Sequence, residues 1–204
     1  MTEADPSDPL REGHFVRVPP GSLRSSGLSE RTIDVLENGG LPRRMYSYDF
    51  SILEEGLQPL SEVARRTKEA QLAEGIDVPE SGAPYERDYL VLGTIGWEPV
   101  TKMECFCVGA GSDRVLEAGL LSRHVTVVNS DAVRFRESLL AFEAEVGRPF
   151  QVYNAGRSDL GLTEVYQQAT GNFERALRSI DPDVLRLPNA YWNIVLKQLE
   201  QHLI

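Results

Sequence analysis

The chain is cut into short β-prone runs at residues 88–96, 102–108, 114–118 and 124–128, separated by glycine, proline and polar turns. A spacing of roughly ten residues predicts an antiparallel meander. Its hairpin connections fall at 96–99 and 109–113, where glycine and small polar residues supply the backbone freedom that tight turns need. Weak alternation of aromatic and polar residues over 45–53 suits a further strand or extended loop.

Directly after the last run, residues 129–147 carry Ala132, Phe135, Leu139, Phe142 and Val146 at steps of three and four. That spacing predicts a helix with one stripe facing a core. Ser130 or Asp131 supplies its N-cap, and Gly147 and Pro149 are expected to stop it. Phe173, Ala176, Leu177 and Ile180 make another helical face, and Trp192, Val195, Leu196, Leu199 and Leu203 a third, so the C-terminal helix is expected to dock. Near the start, Ser29 caps a helix bearing Ile33 and Leu36, which ends at Gly39 and Gly40 before Pro42. A short amphipathic helix fits 59–73, with Ser61 as its cap. Residues 1–27, rich in proline, glycine and serine, read as a loosely ordered arm that adds an edge strand from 15–18. The expected fold is a single α+β domain over 28–204, a mostly antiparallel central sheet flanked by helices.

Charge narrows the function. With 31 acidic and 21 basic residues the formal charge is −10, which disfavours a nucleic-acid binder working by phosphate neutralisation. No apolar stretch approaches the ~20 residues of a membrane-spanning helix. The acidic, proline-bearing start does not read as a secretory signal peptide, so a cytoplasmic location is expected. Cys105 and Cys107 share one strand face and read as two buried core cysteines in a reducing compartment.

No catalytic constellation emerges from the residue pattern. The sharpest motif is the stretch from Cys105 through Gly109 and Gly111, which has the order of a strand and glycine turn in a nucleotide or S-adenosylmethionine site. Arg114 occupies the third glycine position, and too few strands follow for a doubly wound sheet, so a glycine hairpin is the preferred reading. A structural zinc site needs four ligands at recognisable spacing. Besides the cysteines there are only His14, His124 and His202, and no metal, cofactor or catalytic residue is expected. Paired carboxylates such as Glu54 and Glu55 are read as a solvated face.

The order of elements resembles the SUKH superfamily, specifically its fourth group of bacterial immunity proteins. The likeness is carried by the helix containing Thr32, Ile33, Val35 and Leu36 with its Gly39, Gly40, Leu41, Pro42 exit, and by the first central strand at Tyr89, Leu90, Val91, Leu92 and Gly93. It is carried further by Asn129 and Ser130 ahead of a helix with Phe135 and Leu139, and by the closing helix with Tyr191, Trp192 and Asn193. The resemblance implies a cytoplasmic, non-catalytic protein that binds and neutralises a cognate toxin domain. Net charge −10 agrees with a basic partner such as a nuclease toxin domain. Tyr46, Tyr48, Glu54, Glu55 and Trp97 are the candidate partner contacts by residue type. Two other classes stand beside this one: a small S-adenosylmethionine- or nucleotide-binding enzyme using Gly109 and Gly111, and a regulatory protein-interaction module of the same fold.

Overall fold

A computed structural model describes residues 14–45, 48–75, 89–95, 104–120 and 124–202. The chain is α+β, and its contacts divide it into two compact units, 1–125 and 126–204. Among the described residues no helix is long and apolar enough to cross a membrane.

The first unit opens with β1 (Phe15–Val16), which pairs antiparallel with β2 (Leu41–Pro42). Val16, Val18, Leu23 and Leu28 are all buried. The described part of the expected loose arm is therefore packed, because its one apolar run finds a strand partner that lies beyond the intervening helix. That helix, α1 (Glu30–Asp34), begins at Ser29, whose side chain accepts a hydrogen bond from the Thr32 N–H at 3.3 Å. It continues as a wider π-helical turn over Val35–Gly39 and leaves through Gly40 at φ +72°. A Cβ at Gly40 would lie 2.8 Å from the Val16 carbonyl oxygen, so both conformation and proximity require glycine there.

The main sheet runs β3 (Arg44–Met45), β4 (Tyr48–Asp49), β6 (Tyr89–Ile95), β7 (Glu104–Gly109) and β8 (Val115–Gly119) in that spatial order. β5 (Gln58–Pro59) pairs with β6 as well, and every one of these pairings is antiparallel. The expected meander is thus present from β6 to β8; the turn at 96–99 lies outside the described residues. On one face Phe106 meets Tyr48 edge-on at 5.2 Å and stacks on Phe50 at 6.0 Å. Cys105 and Cys107 alternate with it, both fully buried, and their thiols donate to the Ala118 and Leu116 carbonyls at 3.6 and 3.7 Å. The hydrogen bond to Cys107, with burial, holds the Cys105 thiol well above its ordinary pKa. α2 (Leu60–Ala73) follows β5. Pro59 is kept extended by its pairing opposite Leu90, so the helix starts at Leu60 and Ser61 falls inside the first turn instead of capping it.

β9 (Val125–Asn129) leads from the first unit into the second. Asp131 is the N-cap of α3 (Ala132–Phe142), its carboxylate accepting from the Arg134 N–H at 2.8 Å. The predicted stripe is buried throughout. Gly147 and Pro149 do not end the helix: a π-helical turn over Glu143–Gly147 passes directly into α4 (Arg148–Asn154). The wider turn shifts the hydrogen-bond register, so Pro149 sits in a fresh first turn where its missing N–H is harmless. A Cβ at Gly147 would stand 2.6 Å from the Glu143 carboxylate, which would have to move to admit it. α5 (Leu162–Ile180) buries Val165, Ala169, Phe173 and Leu177 at steps of four. α6 (Pro182–Leu185) is a single turn, and α7 (Tyr191–Glu200) closes the unit. Phe142, Phe173 and Trp192 meet at ring separations of 5.3, 5.4 and 6.1 Å in its core.

Candidate functional site

β4 and β5 share one edge of β6: Asp49 stands opposite Thr94, and Gln58 opposite Val91. The chain between them leaves the sheet as a 3-10 turn, Ser51–Glu55, then returns to launch α2. This detour opens a cleft of about 590 Å³ in the first unit, bounded by the 3-10 turn, the first turns of α2 and Thr94.

Among the described residues, Asp49, Glu54 and Glu55 line the cleft against one cation, Arg66. Each acid is held. Asp49 accepts from the Ser51 N–H at 3.0 Å and lies 3.6 Å from Arg44. Glu54 pairs with Arg43, whose guanidinium is held above its ordinary pKa first by that hydrogen bond and then by the Glu54 charge. Glu55 accepts from Gln58 Nε2 at 3.1 Å. Arg66 donates to Gln58 Oε1, another residue of the lining, and lies 3.2 Å from Glu62. Ile52 and Val63 add apolar surface beside the acids. Such a lining accepts a guanidinium or ammonium head while the apolar patches take its alkyl stem.

Of the candidates read from the sequence, Glu54 and Glu55 come together here, both exposed. Tyr48 does not join them: it is 5% exposed, and its ring packs on Phe106, so it belongs to the core and not to a partner surface. Tyr46 and Trp97 lie outside the described residues. Asp49, Thr94 and Arg66 were not singled out, and no local signal marks them, because pairings across the sheet bring them together.

The glycine turn is a hairpin. Val108 stands opposite Val115 in antiparallel strands, so no crossover helix follows Gly109 and Gly111, and the Rossmann order is overturned. The turn is a latch: Gly111 N–H donates to the Gly27 carbonyl at 3.1 Å, and Asp113 accepts from the Ser29 N–H at 3.0 Å.

In the second unit a buried polar knot occupies the place of the Asn129–Ser130 motif. Asn129 Nδ2 donates to Ser138 Oγ at 3.1 Å and to Asp181 at 3.2 Å, while its Oδ1 accepts from Trp192 Nε1 at 2.9 Å. Ser130 donates to Asp181 through its N–H at 2.7 Å and its hydroxyl at 2.8 Å. The knot ties the end of β9 to α3, to the end of α5 and to α7, which makes it architecture.

Compared with known proteins, residues 9–198 match the sequence model of a family described as SUKH-4 immunity protein. The match takes in much of the segment expected to be a loose arm. No curated protein and no solved structure matches the chain.

Proposed function

The chain belongs to the SUKH-4 immunity protein family, and from that membership we propose that it binds a cognate bacterial toxin domain in the cytoplasm and neutralises it without catalysis. The match over 9–198 carries this reading. The acidic cleft supports its finer form. Asp49, Glu54 and Glu55 receive a lysine or arginine from the toxin surface, and the body of the immunity protein then covers the surface where the toxin takes its substrate. A basic toxin domain, such as a nuclease, is the partner that a chain of charge −10 steers best.

The test is co-expression with the toxin domain encoded immediately upstream, scoring survival and then co-purification. Survival with a stable complex is expected. Toxin activity undiminished by saturating, folded immunity protein in a purified assay would remove that toxin as the cognate partner. A complex whose affinity is unchanged by substituting glutamine for both Glu54 and Glu55 would move the interface away from the cleft.

A further inference from the structure

Away from the cleft lining, the strands bring together three metal-ligating side chains. Glu104 opens β7, Glu117 lies in β8, and His124 directly precedes β9. Register fixes the two acids: Glu104 stands opposite Gly119 and Phe106 opposite Glu117, so both glutamates project from one face in diagonal positions. The Gly119 N–H donates to the His124 carbonyl at 3.2 Å, which brings His124 alongside. Gly119 itself puts no side chain between Glu104 and the imidazole. One ligand atom from each of the three residues lies within 4.8 Å of the other two.

Two carboxylates held so close repel, and the repulsion is strong because Glu117 is only 7% exposed. A divalent cation held between them would offset that repulsion. His124 Nε2 and Glu104 Oε1 stand 3.7 Å apart. That separation is too long for a direct hydrogen bond between them and close to the edge of about 3.4 Å of a tetrahedron built from ~2.1 Å metal bonds. The donor mix selects among cations: calcium and magnesium take oxygen ligands, whereas one imidazole nitrogen with two carboxylate oxygens suits zinc. We propose that Glu104, Glu117 and His124 bind a divalent cation of the zinc type, cross-linking β7, β8 and the approach to β9. Side-chain exposures of 42% for Glu104 and 43% for His124 give the ion a path in and leave a coordination position toward solvent. This departs from the expectation of no metal, which rested on two cysteines and three histidines lacking the spacing of a four-ligand zinc site.

The experiment uses the full chain, stripped with EDTA and titrated with Zn²⁺ by calorimetry. Saturable binding is expected, weakened by at least the roughly tenfold that even outer-shell partners command in each of H124Q, E104Q and E117Q. Circular dichroism checks that each variant is folded. Because Glu104 and His124 are partly exposed, their variants keep the test decisive if E117Q fails to fold. Absence of saturable Zn²⁺ binding to the folded wild-type chain overturns the site. So does binding that survives both H124Q and E104Q, while Ca²⁺ binding as tight as Zn²⁺ overturns its zinc-type assignment.

Discussion

Asn129 has no exposed surface, and its side-chain amide is bonded on both sides, to Ser138 and Asp181 through nitrogen and to Trp192 through oxygen. Replacing it by alanine leaves the Trp192 N–H and part of the Asp181 carboxylate buried without partners. Each such orphan costs about 1–3 kcal/mol, so Asn129→Ala is expected to lose about 2–4 kcal/mol of stability. Urea unfolding checks it through a lower midpoint at unchanged slope, and a variant with the wild-type midpoint would show that the knot contributes nothing. Thr32 is the opposite case: it is 1% exposed, and its hydroxyl has no hydrogen-bond partner among the described residues. Thr32→Val keeps the shape and removes the orphan, so a gain of about 1 kcal/mol is expected. A lower melting temperature for that variant would mean the hydroxyl is satisfied in solution.

At the scale of elements, Gly93 decides how β6 meets its neighbours. The register against β7 shifts between Val91 and Gly93, and a Cβ at Gly93 would stand 2.4 Å from the Phe50 ring and 2.7 Å from the Asp49 carbonyl oxygen. Gly93→Ala therefore forces β4 and the Phe50 ring away, at an expected cost of about 1–3 kcal/mol or more. Gly111→Ala meets no atom within 4 Å and suffers only from its φ of +77°. Its cost is expected near 1 kcal/mol, and thermal melts of the two variants separate overpacking from backbone strain. The same contrast explains what could be read from the residues alone. β6, β7 and β8 are five to seven residues long with punctuated turns, so their pattern is local and legible. β1 to β5 are two residues each and show no period. Their existence depends on partners such as Ile95 for Tyr48, which is why Tyr48 is a candidate partner contact by residue type and yet lies in the core. Glu54 and Glu55 were legible as acidic surface, whereas Asp49 and Arg66 reach the same cleft only through that pairing and the detour into α2. The Gly147 and Pro149 stop signal failed for a related reason, since a buried Glu143 and a π-helical turn carry the chain past it.

Over the whole molecule, the excess of ten negative charges acts at a range that no single contact has. A basic toxin approaching it feels attraction out to about a Debye length, ~10 Å at 0.1 M salt. Steering of this kind raises the association rate and is screened by salt, while well-packed contacts set the dissociation rate. The cleft acids and the overall charge therefore make separable predictions for the proposed complex. Raising salt should slow association with the cognate toxin and leave dissociation nearly unchanged, measured by stopped-flow or surface plasmon resonance. Replacing both Glu54 and Glu55 by glutamine removes two negative charges of the ten-charge excess, so steering alone predicts only a modest slowing of association. If the two acids hold a toxin cation in the cleft, the same double variant should also speed dissociation by about thirtyfold or more, since unpairing a desolvated charge costs about 2–5 kcal/mol. A double variant that changes association alone would keep the steering and take the docked cation out of the cleft.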